Sequence, residues 1–508
     1  MKKLFIPFVV SLAFSFTVRS QSIEVDLKAL DTYFEKMTQD WDVPSMSIGI
    51  VKDGELVFAK GYGVKEVGKK GKPDKNTLYA IASNSKAFTS AIIAQLVEEG
   101  KLDWNDKVRD HLPYFELYDS WVSANTTIRD ILSHRVGLGT FSGDVIWYKA
   151  DLTAEEIVRK VKNIPPAYGF RAGWGYSNVM YITAGEVIRK VTGKSWADNV
   201  KERLLKPLAM DRTITTPKEL ESKGNYATPH ARSEEKNVPI VWEDWEEIGA
   251  LGGLISSVED LSKWMIMNMN HGLNGSDTLF SRRSRNMMWK PHNNFTVDHT
   301  SPNDFNRHFS GYGLGWGLSD YQGNLRVGHT GGYDGMLSAF NMIPDQKLGV
   351  IVLTNGMKSP MMAATYYALD KFLGVDEQDW SKNLLNQSAN NEDTRIAERK
   401  TSRVEGTLPS LDLEKYSGTY LADIYGDISV SLKNGELRLN FEHAKALSAT
   451  LRHWHYDVWE IDWDIEHAWF SFGTVQFNMD NNLKIEKMTF DVPNDDIFFE
   501  ELKPIKIK

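Results

Sequence analysis

No cysteine occurs among the 508 residues of this chain. That excludes disulfides, thiolate metal sites, a cysteine nucleophile and a lipidated N-terminal cysteine. An excess of positive charge is also missing: 59 Lys and Arg stand against 68 Asp and Glu, for a formal net charge of −9. That balance argues against nucleic acid or an anionic membrane as partner. Long apolar runs are absent after the first residues. The stretch Leu4 to Val18 follows Lys2-Lys3 and ends in Val18-Arg19-Ser20. It is short for a membrane span and reads as a secretory leader, residues 1–20, cleaved at a small residue. Its removal, with Lys2, Lys3 and Arg19, leaves a charge near −12. The expected address is the periplasm, with release to the medium as the other outcome. No cofactor or metal is expected. His453 and His455 share one strand face, but no third ligand lies nearby in sequence.

What the chain does contain is three short motifs in order: Ser83-Asn84-Ser85-Lys86, Tyr176-Ser177-Asn178 and His329-Thr330-Gly331. Ser83 opens a helical pattern in which Phe88, Ala91, Ile92, Leu96 and Val97 recur at three-to-four spacing, with Gly100 at the stop. A capping serine is commonly answered three residues later by Glu or Gln. Here Lys86 stands there, its charge opposing the positive end of the helix dipole. A residue that breaks a local preference marks a candidate functional site. The i, i+3 spacing puts amine and hydroxyl on one face, so Lys86 can take the Ser83 proton. Tyr176 follows the loop Arg171 to Gly175 and precedes an amphipathic helix from about Val179 to Val191. Beside Ser83 a phenol of lowered pKa would relay protons, and Asn178 would hold a substrate amide. His329-Thr330-Gly331-Gly332 ends a strand pattern, and its glycines let a substrate lie against the strand edge. Taken singly each motif also fits a plain structural role: a cap, a packed tyrosine, a turn. Together they supply the parts of a serine acyl-transfer enzyme.

These motifs resemble those of the penicillin-recognising serine hydrolases: class C β-lactamases, D-alanyl-D-alanine carboxypeptidases, D-aminopeptidases and related esterases. Tyr-x-Asn, in place of Ser-Asp-Asn, points to the class C and carboxypeptidase branch. The resemblance spans about Ile23 to Leu373, supported by Leu132 to Leu138 and Gly252 to Ser257. It implies Ser83 as nucleophile, Lys86 as proton acceptor, Tyr176 as general base and acid, and Asn178, His329, Thr330 and Gly331 as substrate-binding residues. The backbone N–H groups of Ser83 and Gly332 would form the oxyanion hole. His329 stands where many β-lactamases carry lysine. A histidine of ordinary pKa, roughly 6.5, would attract a substrate carboxylate weakly and with a pH dependence between about pH 6 and 8. His134 reads as structural, and Ser257 with Asp260 as a capping box.

The length calls for more than one core. The expected organisation is a leader (1–20), a β-lactamase-like α+β domain (21–375), a polar linker (376–409) and a small all-β barrel (410–508). In the α+β domain, Ser45 to Val51 and Glu55 to Lys60 form a hairpin about Asp53-Gly54. Later strands are expected at Gly311 to Leu318, Leu325 to Gly328, Met336 to Ile343 and Leu348 to Thr354, and a helix from about Pro360 to Phe372. The segment Val238 to Glu247, with Trp242 and Trp245, is a candidate border of the cleft. Nine short strand patterns follow residue 410, including Trp469 to Phe472 and Ile497 to Glu501; they resemble a lipocalin-like domain. Such a domain would shield the active site, mediate self-association or hold a ligand. The functional expectation is an exported serine hydrolase acting through an acyl-enzyme, a carboxypeptidase- or aminopeptidase-like peptidase of small peptides that contain D-amino acids. An esterase or β-lactamase would use the same residues. A catalytically weak ligand-binding protein is the alternative from another class.

Overall fold

The computed structural model describes residues 25–298, 305–376, 378–388 and 392–507. The leader expected at residues 1–20 lies outside them. Eight antiparallel strands form the main sheet: β1 (Ser45–Lys52), β2 (Glu55–Gly63), β3 (Asn293–Phe295), β4 (Ser310–Tyr312), β5 (Gly317–Tyr321), β6 (Asn324–Tyr333), β7 (Met336–Ile343) and β8 (Leu348–Thr354). Their order is β2-β1-β8-β7-β6-β5-β4-β3, so strands from both ends of the α+β unit meet at β1–β8. The β1–β2 turn is made by Asp53 and Gly54, both at positive φ (53° and 86°), as a two-residue hairpin turn requires.

Strand alternation distributes the core. Ile48, Ile50, Val350 and Val352 face a layer built from α1 (Leu27–Asp40), with Leu30 and Phe34, and the helix over Met361–Leu373, with Ala364 and Leu369. Val51, Ile351 and Leu353 face the opposite, larger helical layer. At its centre lies α2 (Ser85–Glu98), apolar nearly all round and buried accordingly. Phe88 of α2 stacks on Trp264 at 3.9 Å between ring centroids. Beside α2 lies α3 (Asn178–Thr192), which stops at Gly193 with φ of 71°.

The polar stretch expected as a linker contains two helices, Trp380–Ser388 and Glu392–Thr401. Trp380 anchors the first: its ring is buried and its Nε1–H donates to Asp370 at 2.6 Å. Trp41 Nε1 also donates to Ser381 of the first helix, and Arg395 and Arg399 of the second pair with Asp495 and Asp491 of the barrel, so contacts order a segment whose composition reads as unstructured.

The last hundred residues close an eight-stranded antiparallel barrel, from Gly418–Ala422 to Ile505–Lys506. Two of the nine expected strands are absent. Trp469 to Phe472 is loop, and Ile497 to Glu501 is loop leading into a 3₁₀ turn at Phe499–Glu501. Both have strand-like composition because they are buried against the other domain and the barrel interior. The barrel docks on the helical side of the α+β unit. Gly143 N–H donates to Glu501 at 2.7 Å, and the Ser142 hydroxyl donates to the same carboxylate. Asp151 N–H donates to the His443 carbonyl at 2.8 Å, and the Lys160 ammonium to the Tyr425 carbonyl at 2.7 Å.

Candidate active site

Ser83 does not cap α2. It sits in a 3₁₀ turn, Ala82–Asn84, that runs directly into the helix, and no side chain caps the junction. Ala82 has a φ of 45°, the left-handed region that non-glycine residues rarely adopt. This turn is fixed from the sheet side. Asn84 Nδ2 donates to the Ile81 carbonyl (3.2 Å) and to Ser338 Oγ (2.9 Å) on β7, and Ser338 Oγ donates to the Ile81 carbonyl (3.0 Å). A strained turn thus persists because its surroundings over-determine it.

Lys86, in the first turn of α2, is completely buried. Its Nζ lies 2.9 Å from Ser83 Oγ, 2.7 Å from Asn178 Oδ1 and 2.7 Å from the Leu251 carbonyl. The rings of Tyr176 and Tyr181 lie 4.9 and 5.3 Å from it, centroid to nitrogen. Burial pushes the Lys86 ammonium down to about 7, partly opposed by the Asp144 carboxylate. The neutral amine keeps two N–H bonds, to Asn178 and Leu251, and turns its lone pair toward the Ser83 hydroxyl. That is the geometry of a proton acceptor.

Asn178 opens α3 and bonds in two directions: its Nδ2 donates to Asp144 Oδ2 at 2.6 Å. Amide oxygen and nitrogen each retain one further bonding position toward the cleft it lines. Asp144, in the short helix Asp144–Trp147, also accepts from Trp147 Nε1 at 2.9 Å. Burial drives its carboxyl well above the ordinary range.

Tyr176 corrects one expectation. Its hydroxyl is buried beside Ser83 without full hydrogen-bond geometry to any described group, and burial pushes the phenol well above 10, a push the Ser83 hydroxyl only tempers. It is a neutral phenol at neutral pH, not a phenol of lowered pKa. His134 underlies it, the two rings 4.4 Å apart, and its Nδ1 accepts from the Ser177 N–H at 3.0 Å. Burial keeps His134 neutral, as a structural residue.

The second correction concerns His329. The His329-Thr330-Gly331-Gly332 segment does not end its strand; it lies within β6 and faces the 3₁₀ turn. His329 Nδ1 lies 2.5 Å from the Thr330 carbonyl and Nε2 lies 3.0 Å from the Tyr312 hydroxyl, which fixes the Nδ1–H tautomer with Tyr312 donating. Burial, with the Lys86 ammonium nearby, pushes His329 down to about 4. It is therefore neutral across pH 6 to 8 and cannot supply the pH dependence expected there. Gly331 is required for a steric reason: a Cβ at this position would lie 2.1 Å from the Ile81 carbonyl oxygen.

Ser83, Tyr176, Asn178, His329, Thr330, Gly331 and Gly332 all line one cleft of about 480 Å³. Trp245 borders it as expected, whereas Trp242 packs on Tyr333. Sequence reasoning missed Asp144 and Tyr312, and three residues from the barrel: Trp469, Asp496 and Ile497. Among the described residues no cluster of three or more His, Asp or Glu is arranged to hold a metal ion. No described helix is long and apolar enough to cross a membrane.

An antiparallel sheet flanked by helices, with a serine and a buried lysine at its edge, defines a serine hydrolase of the β-lactamase and transpeptidase fold. The chain belongs to the β-lactamase family, whose model matches residues 30–373; residues 402–504 match a domain of unknown function, DUF3471. The unguisins hydrolase ungD' of Aspergillus campestris is 30% identical over 427 residues, covering 78% of this chain and 76% of its own. Protein flp of Staphylococcus aureus is 29% identical over 335 residues, covering 64% of this chain and 62% of its own. Among solved structures, the octameric penicillin-binding protein homologue from Pyrococcus abyssi superposes with a TM-score of 0.62 at 24% identity. The match covers 95% of this chain and all of that one. A D-stereospecific amidohydrolase from Streptomyces sp. superposes with a TM-score of 0.53 at 22% identity, covering 69% of this chain and all of that one.

Proposed function

We propose that this hydrolase is an exported peptidase that cleaves amide bonds in small peptides containing D-amino acids, through an acyl-enzyme on Ser83. The observation that carries the acyl-enzyme step is the Lys86 amine, buried, close to neutral at pH 7 and 2.9 Å from Ser83 Oγ. Lys86 accepts the hydroxyl proton as Oγ bonds to the substrate carbonyl carbon, and the carbonyl π pair moves onto oxygen. The N–H groups of Ser83 and Gly332 receive that oxyanion. Collapse expels the amine, which takes its proton from Tyr176 acting as a neutral acid and reprotonated from Lys86. Water then attacks the ester along the same route. Asn178, His329, Thr330 and Gly331 hold the substrate backbone against β6.

Two features support a peptidase over a β-lactamase or carboxypeptidase that needs a substrate carboxylate. His329 is uncharged where a lysine would attract an anion, and Phe141, Trp147, Trp174, Tyr176, Trp245 and Trp469 give the cleft aromatic surface for an apolar side chain. The relative named an unguisins hydrolase and the neighbour titled a D-stereospecific amidohydrolase support the same reading. The test is a panel of D-aminoacyl amides, D-Ala-D-Ala peptides, short-chain esters and a cephalosporin. D-aminoacyl amides should be hydrolysed best, with Ser83→Ala inactive and unlabelled by a fluorophosphonate probe. Absence of turnover across all four groups would leave the weak ligand-binding alternative standing. Export is tested separately, by finding the mature N-terminus after Ser20 in a periplasmic fraction.

A further inference from the structure

Three residues of the barrel, Trp469, Asp496 and Ile497, enter the wall of the cleft that holds Ser83. They come from two loops, after the fifth and seventh barrel strands, Val458–Trp463 and Ile485–Asp491. The Trp469 ring is seated on β6: a Cβ at Gly332 would lie 2.7 Å from it. Asp496 is held by a local turn in which Asn494 Oδ1 accepts from the N–H groups of Asp496 (3.0 Å) and Ile497 (2.6 Å). This turn aims the backbone but leaves the Asp496 carboxylate itself without a hydrogen bond or ion pair among the described residues. It is close enough to Asp144 and Tyr176 to act on both electrostatically.

We infer that Asp496, carried by the barrel, is a specificity-determining residue that pairs with an ammonium group of the substrate. The inference rests on the acyl-enzyme reading of the same cleft. The balance of charge along the cleft wall supports it. His329 is neutral, Tyr176 is a neutral phenol, and burial drives Asp144 toward its uncharged form. Burial and the neighbouring Asp495 push Asp496 up to about 6, so at neutral pH it is mostly ionised. The anion facing the substrate volume is therefore a carboxylate, and among the described residues no cation pairs with it. A partly buried, unpaired charge is costly, and a substrate that brings the counter-charge recovers that cost on binding. A substrate carboxylate would instead meet repulsion.

An ammonium could belong to a free amino terminus or to a basic side chain, and the test separates the two. Three diphenyl phosphonates that label an active serine are compared on the full-length protein. One is a 1-aminoalkyl phosphonate with a free amine. The second is its N-acetyl form, and the third an N-acetyl form with an aminobutyl side chain. The readout is the ratio of second-order labelling rates, which does not depend on deacylation. An amine-bearing probe should react about 10- to 100-fold faster than the neutral one, as expected for a hydrogen bond to a charged group. Preference for the first probe assigns the amino terminus, and preference for the third the basic side chain. In Asp496→Asn, of nearly equal volume, the ratio should fall toward one. A preference that persists in Asp496→Asn, or rates that fall equally for all three, would overturn the inference. Equal labelling of the wild-type protein by all three probes sinks the inference alone, whereas no labelling of Ser83 by any of them sinks the acyl-enzyme reading with it.

Discussion

At the scale of single residues, the proton acceptor is decided by where burial pushes each group. Lys86 and Tyr176 are both buried against Ser83, but burial favours the neutral form of each. For a lysine that form is the base; for a tyrosine it is the acid. Lys86 is charged below about 7 and becomes a competent acceptor above it. For a substrate without an ammonium group, kcat/KM should therefore rise with pH through about 7, as an acidic limb governed by Lys86. Tyr176→Phe should lower kcat/KM by about 10²- to 10⁴-fold, the usual worth of a positioned acid, yet keep the limb at about 7. Loss of the limb in Tyr176→Phe would make the tyrosine the base instead. The Ser83–Lys86 pair was legible in the sequence because both partners lie within one helical turn. Asp144 and Tyr312 were not, because they reach Asn178 and His329 only through folding, 34 and 17 residues away. The charge of His329 was equally hidden, since it follows from burial rather than residue type.

Among elements, the decisive contact is between β6 and the 3₁₀ turn that carries Ser83. The glycines of β6 were read as leaving room for a substrate, but Gly331 first leaves room for the protein's own backbone. A Cβ there would sit 2.1 Å from the Ile81 carbonyl oxygen, and neither backbone can yield cheaply. Gly331→Ala should push β6 off the turn by a fraction of an ångström to an ångström. Misplacement on that scale costs about 100-fold in kcat. The measurement is single-turnover acylation of Ser83, with circular dichroism to verify that the sheet persists; wild-type acylation in Gly331→Ala would refute this role. The sheet was largely legible, because Asp53-Gly54 and the short apolar runs of β7 and β8 are local signals. Loops that are buried carry strand-like residues, so Trp469 to Phe472 and Ile497 to Glu501 imitate strands that the barrel does not form.

For the whole molecule, the question is what holds the barrel loops over the cleft. One junction links the base of the Asp496 loop to the segment before Asp144. There Glu501 accepts from the Gly143 N–H at 2.7 Å and from the Ser142 hydroxyl. Gly143, at a φ of 84°, directly precedes the helix Asp144–Trp147, so turning its N–H elsewhere would move Asp144 as well. Burial pushes the Glu501 carboxyl above the ordinary range while these two donors hold it down. Removing the acceptor strands a buried N–H, a loss of about 1–3 kcal/mol. Other interdomain bonds remain, among them those of Asp151, Lys160, Asn163 and Ser233 with His443, Tyr425, Asp423 and Glu466. Glu501→Ala should therefore loosen one edge of the interface rather than release the barrel. Hydrogen exchange should speed up together at residues 139–147 and 494–502, while β7 and β8 keep their protection. Acylation of Ser83 should slow in proportion, because Asp144 holds Asn178 and Asn178 holds Lys86. Faster exchange confined to the barrel side, with acylation unchanged, would show that the catalytic segment is fixed without the barrel.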